Sequence, residues 1–264
     1  KRQLMTTWGG WRLIFLTTLP IVALTWLLGR RTLTAFSHPG QRVPFQFRQF
    51  GVLAMAFLLF NFALGQLGGN WSHRLTGVGL LCVCVALLAG FNRLRHHNTT
   101  DLLNLSLFQQ PAVRATFMLY AMIQLVNLCV SLVIPTLVQL AQHVTAFRSG
   151  LILLPGSLLV ALINPWFGKL YDQLGGRVPI VGGLLTMMAG LIGLVLTTRY
   201  QRLTWVIGFF ILFSVGRTMS FGNTLTTAMQ RIPQALQADL NALYSTGQQL
   251  AGSLCTTLGA TLLA

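Results

Sequence analysis

Acidic residues are almost missing: Asp101, Asp172 and Asp239 are the only three in 264 residues, and glutamate does not occur. Three acids, five histidines and no metal-spaced cluster leave an enzyme little chemistry to work with, so the sequence is read as a non-enzyme with no cofactor and no metal site. Cysteine is equally scarce. Cys82, Cys84, Cys129 and Cys255 all lie inside apolar runs, and Cys82 and Cys84, two apart on a helix, point to different faces. Neither a disulfide nor a zinc site is supported. Charge of either sign makes up only 8% of the chain, too little for a soluble domain of this size. The Lys1-Arg2 start and the run Leu13 to Leu28 suggest a secretory leader, but no small-residue cleavage site follows, and the run is read as a retained membrane helix.

What is present is apolar. With 54% hydrophobic residues and a mean hydropathy of +0.68, the chain reads as an all-α polytopic membrane protein. Eighteen lysines and arginines give a net charge of +15. They are scattered between the apolar runs rather than gathered on one surface, which favours contact with a lipid bilayer and argues against nucleic acid.

Eight candidate spans follow the hydrophobic runs: about Arg12 to Leu28, Phe50 to Leu67, Thr76 to Phe91, Ala115 to Leu140, Gly150 to Phe167, Val178 to Thr197, Leu203 to Gln230, and Asp239 to Ala264. The third is short. At about 1.5 Å per residue most of them are long enough to cross a hydrocarbon core of about 30 Å. No separate soluble domain is visible. Alternate connections differ in charge. One side holds ten basic residues (Arg30, Arg31, Arg42, Arg48, Arg93, Arg95, Arg114, Lys169, Arg177 and Arg231) and the other holds four (Arg74, Arg148, Arg199 and Arg202), or seven once Lys1, Arg2 and Arg12 are added. The positive-inside rule places the richer side in the cytoplasm.

Between the fifth and sixth runs lies Gly168-Lys169-Leu170-Tyr171-Asp172-Gln173-Leu174-Gly175-Gly176-Arg177. It reads as a tight loop at the membrane surface, in which glycine permits a reversal, Asp172 faces a helix N-terminus or a cation, and Lys169 and Arg177 meet lipid phosphates or helix C-termini. Two polar stripes lie within the apolar runs. In the fourth, Thr116, Tyr120, Gln124, Asn127 and Ser131 fall within an arc of about 80°, and Pro135 follows at its outer end. In the eighth, Asn241, Tyr244, Ser245, Gln248 and Gly252 form a second stripe, with Gly252 and Thr256 as a small-xxx-small pair. Interhelical hydrogen bonding and a substrate cavity both account for such stripes. Arg217 sits near the middle of the seventh run, where a charge costs about 2.5 to 3.5 kcal/mol and faces the interior; the alternative is a shorter helix from which Arg217 snorkels to the cytoplasmic surface. No acid lies deep within any run.

The pattern Gly168-x-Leu170-x-Asp172-x-x-Gly175-x-Arg177 between two membrane helices resembles the signature loop of the major facilitator superfamily. Leu153-Leu154-Pro155-Gly156, Gln248-Gln249-Leu250-Ala251-Gly252 and Trp11 to Leu16 with Pro20 look like the fourteen-helix drug-proton antiporters. The resemblance implies that residues 1–49 hold the last helix of an N-terminal bundle and a cytoplasmic loop. It makes 50–114 an extra central helix pair with a cytoplasmic loop, and 115–264 five of the six helices of a C-terminal bundle. The rest of the N-terminal bundle and the last helix would lie outside this sequence, so the chain alone is not expected to transport. The implied activity of the whole is proton-coupled efflux of amphipathic drugs or other small molecules across a bacterial plasma membrane. In that reading Gly168 to Arg177 form a conformational switch, the two stripes with Arg217 form a cavity wall, and protons, an amphipathic solute and the missing bundle are the partners. The alternatives are a transporter of another small solute on the same fold, and a half-size membrane subunit or sensor that does not transport.

Overall fold

The computed structural model describes residues 12–32, 46–67, 71–96, 105–142, 150–197 and 203–263. Trp11, Asp101, His97, and the loop cations Lys1, Arg2, Arg42, Arg148, Arg199 and Arg202 lie outside the described residues. The chain divides into residues 1–45 and 46–264.

The first unit contains α1 (Arg12–Thr32), with Pro20 inside it. The Thr25 hydroxyl donates to the Val22 carbonyl at 2.8 Å, and Arg30 lies over the Trp26 ring at 5.4 Å.

Among its described residues the second unit contains seven helices: α2 (Phe47–Leu67), α3 (Trp71–His96), α4 (Pro111–Gln142), α5 (Leu153–Leu174), α6 (Arg177–Thr197), α7 (Leu203–Gln230) and α8 (Gln237–Leu263). Among the described residues every regular element is helical, so each backbone polar group inside lipid finds its partner within its own segment. Among the described residues six helices, α2 to α7, are long and apolar enough to cross a membrane. Short 3-10 turns at Leu105–Gln109 and Gln234–Leu236 lead into α4 and α8, and Pro111 opens α4 at the position where its missing N–H is not needed.

Helix bounds extend past the apolar runs. The third helix, expected to be short, is 26 residues long, and α4 runs for 32 with Pro135 inside it. The runs mark the extent of the hydrocarbon, whereas helical hydrogen bonding continues into the polar interface. α7 occupies the residues expected of it, so Arg217 lies in a continuous helix and not at its end.

The bundle is built inside out. Large apolar side chains face outward, as at Leu162 (73% exposed), while Ser220 and Thr224 are fully buried. α2 and α3 form a hairpin: the Cys84 thiol donates to the Ala56 carbonyl at 3.3 Å, and His73 pairs with Gln66 at 2.7 Å across the connection. α6 and α7 touch backbone to backbone. A Cβ on Gly190 would stand 2.5 Å from the Phe213 nitrogen, and one on Gly216 would strike the Met187 nitrogen. Only glycine lets two helices approach this closely without a cross-membrane hydrophobic force.

Candidate functional site

The segment expected to be a ten-residue loop is mostly helix, which corrects the sequence reading. Gly168, Lys169, Leu170 and Asp172 belong to the last turns of α5, and the break between α5 and α6 is only Gly175-Gly176. Gly175 has φ +74°, a conformation that L side chains rarely adopt, and its N–H closes α5 by donating to the Tyr171 carbonyl at 2.9 Å. A Cβ at Gly176 would meet the Thr227 hydroxyl at 2.5 Å and the Tyr171 ring at 2.9 Å, so the chain passes this point flush against α7.

The residue that fixes the joint is one the motif does not specify. Tyr171 is buried, its hydroxyl donates to the Gln230 side-chain oxygen at 2.8 Å, and the Thr227 hydroxyl lies 3.2 Å away. These bonds pin the end of α5 to the end of α7. The chain has only four tyrosines, and a tyrosine among the polar residues at a membrane edge is the signal that points to it. Lys169, Asp172, Gly175 and Arg177 stand exposed on the outer side of the joint.

The stripe of α4 faces α8, which lies alongside it in the same direction. The Thr116 and Tyr244 hydroxyls share a hydrogen bond of 2.7 Å, Tyr244 also donates to the Val113 carbonyl at 3.4 Å, and Tyr120 donates to the Gln248 side-chain oxygen at 3.2 Å. Tyr120 stacks on Phe221 of α7 at 4.1 Å, and Phe117 packs edge-on against Tyr244 at 5.4 Å. These two phenylalanines complete an aromatic block that polarity alone did not reveal. Gln124 is buried, while Asn127 and Ser131 are half-buried.

The second stripe divides. Tyr244 and Gln248 point inward, but Asn241 and Ser245 are exposed, as is Gln249. Gly252 packs on Leu128 of α4 whereas Thr256 turns outward, so the small contact surface against α4 is Gly247, Gly252 and Gly259. No large apolar side chain of α8 is exposed among the described residues.

Arg217 is half-buried and shares its face of α7 with Phe210, Phe213, Thr224 and Ala228. Its one side-chain hydrogen bond among the described residues goes to the adjacent Thr218 at 3.2 Å. Among the described residues no group of three or more potential metal ligands comes together.

Comparison with known proteins gives a consistent result. An uncharacterised MFS-type transporter of Bacillus subtilis, YcnB, is 25% identical over 202 residues, covering 76% of this chain and 42% of the relative. The lincomycin resistance protein LmrB of Listeria innocua is 25% identical over 258 residues, 96% of this chain and 54% of the relative. The multidrug resistance protein Stp of Mycobacterium tuberculosis is 26% identical over 252 residues, 95% of this chain and 46% of the relative. The chain thus spans about half the length of the relatives it matches. A helical membrane bundle, the Gly168 to Arg177 joint and a match of residues 3–256 to the family model converge: the chain belongs to the Major Facilitator Superfamily.

Proposed function

We propose that this chain is the central and C-terminal part of a secondary active transporter that exports amphipathic small molecules in exchange for protons by alternating access. Residues 1–49, 50–114 and 115–264 are then the end of the N-terminal bundle, the extra helix pair and most of the C-terminal bundle. The protein sits in the bacterial plasma membrane with the α5–α6 joint in the cytoplasm, the side that the excess of basic residues favours.

One observation carries the reading: α8 turns Asn241, Ser245 and Gln249 outward from its own bundle. A polar face of that kind does not suit lipid; it suits water, a solute or a second bundle. Two bundles facing each other across such a surface are what alternating access requires. The names of the lincomycin and multidrug resistance relatives support the substrate class.

The joint is proposed as the switch. Asp172 lies at the C-terminal end of α5 and Arg177 at the N-terminal end of α6, so each charge occupies the end of its helix that the dipole disfavours, by about 0.3 to 1 kcal/mol. Both are relieved when another element supplies an N-terminus or an anion in one access state. The test is proton-gradient-driven uptake of two amphipathic dyes of opposite charge, anionic fluorescein and cationic ethidium, into inside-out vesicles holding the full-length protein. Uptake that collapses with the gradient is expected, and Asp172→Asn is expected to slow it without lowering membrane abundance. No gradient-dependent uptake of either solute would sink the transport reading, and loss of abundance alone would make the joint a structural turn.

A further inference from the structure

Among the described residues the bundle interior holds a cation and no acid. Arg217 stands 14 residues from Leu203 and 13 from Gln230, about 20 Å from either end of α7. Every other lysine and arginine among the described residues lies at or beside a helix end. Of the two acids within the described residues, Asp172 is in the last turn of α5 and Asp239 in the first turn of α8. Neither is at the depth of Arg217. An arginine offers five N–H donors, and the contact with Thr218 engages one side-chain partner.

A second polar group at that depth is also short of partners. α4 and α7 run in opposite directions: Tyr120 meets Phe221 near one end, while Ile134 and Val138 share a core with Phe210 and Phe213 near the other. One turn inward from the Tyr120–Phe221 stack therefore brings Gln124 and Arg217 to the same level. Gln124 is only 7% exposed and makes no side-chain hydrogen bond among the described residues. The polar atoms of both side chains are open rather than sealed off, and a guanidinium left unmatched halfway along a membrane helix is costly unless something that accepts hydrogen bonds enters.

We propose that Arg217 and Gln124 form an anion-accepting site, and that the solute carries a carboxylate, sulfonate or phosphate rather than a cationic group. A guanidinium binds such oxyanions through paired, charge-assisted hydrogen bonds, and the Gln124 amide adds a neutral donor. The aromatic block of Tyr120, Phe221 and Tyr244 lies one turn away and suits the apolar part of an amphipathic anion. This assignment rests on the transport reading for its biological meaning, but not for its test.

The test is binding to the full-length protein in phosphatidylcholine nanodiscs, read by fluorescence anisotropy with two dyes of one ring system, anionic fluorescein and cationic rhodamine 6G. Fluorescein is expected to bind about tenfold more tightly, Arg217→Gln to remove that preference, and Arg217→Lys to keep most of it. Competition on the unaltered protein, 1-naphthoate against 1-naphthylmethylammonium, decides the matter if the glutamine variant does not fold. Rhodamine binding as tight as fluorescein, no saturable fluorescein binding, or displacement by the ammonium as strong as by the carboxylate would each overturn the site. The two readings separate cleanly. Anion-selective binding without gradient-driven uptake retains the site and removes the transport reading; uptake selective for cations does the reverse.

Discussion

α6 and α8 are both helices of the second unit, and they are turned opposite ways. α6 shows Val181, Leu185, Met188, Ile192 and Val195 to the outside and buries Gly183, Gly190 and Gly193 against α7. α8 buries Leu240, Tyr244, Ala251 and Cys255 and shows Asn241, Ser245 and Gln249 to the outside. In water α6 would be the odd helix; in a membrane α8 is. An apolar outer face is satisfied by lipid chains, which leaves small residues free to bring helices into backbone contact. A polar outer face asks for water or protein. The pair shows why α8, 27 residues long, is missing from the helices recognised by apolarity. Mean hydropathy averages two faces that differ in polarity.

The contrast is broken most sharply by chemistry at the two faces. Single cysteines placed in full-length protein from which every other cysteine has been removed are expected to react with a membrane-impermeant maleimide about 100-fold faster at Asn241 and Ser245 than at Leu185 and Ile192, because the reactive thiolate forms in water and not in hydrocarbon. Equal protection of all four sites would mean that α8 faces lipid. Next in size is the inner face of α6. Gly190→Leu places atoms where the Phe213 backbone runs and is expected to cost about 3 kcal/mol, seen as a lower melting temperature in detergent. Outward Ala189→Leu is expected to leave melting unchanged. If the two leucines behave alike, the α6–α7 contact is looser than its geometry.

How much of this was legible follows from what each feature depends on. The order of the described helices was legible, and α2 to α7 each carry an apolar run long enough to cross a membrane, whereas α1 and α8 do not. The ends of α5 were not. Lys169 and Asp172 mark where hydrocarbon stops, and the helix continues through them to Leu174 because only Gly175 has a backbone that ends it. The pairing of Tyr171 was hidden for another reason: its type and place at the membrane edge mark it, but its partner Gln230 lies 59 residues along the chain, and no local pattern joins them. Likewise the α4 stripe was readable as a stripe, while its partner Tyr244, 128 residues from Thr116, was not. The division of the α8 stripe into inner and outer halves needed the packing against α4 to be known. Tyr171→Phe tests the hidden part of the joint. It removes two hydrogen-bond partners at a membrane edge and is expected to lower stability by about 1 kcal/mol, measured by thermal melting; no change would leave the joint to Gly175 and Gly176 alone.

The smallest effect sharpens the comparison from the inside of α8. If its inward polar groups serve packing, the Thr116–Tyr244 bond has the modest value of an interhelical bond inside a membrane, because the alternative state finds other partners too. A double-mutant cycle on the full-length protein with Thr116→Val and Tyr244→Phe, read by reversible unfolding in sodium dodecyl sulfate, is expected to give a coupling of about 0.6 kcal/mol. A coupling near zero would mean that the Val113 carbonyl, 3.4 Å from the same hydroxyl, is the partner that matters. A coupling beyond about 2 kcal/mol exceeds what such bonds give and would mark this contact as one on which the access state of the bundle depends. In that case the inner half of α8, and not only its outward face, would belong to the moving parts.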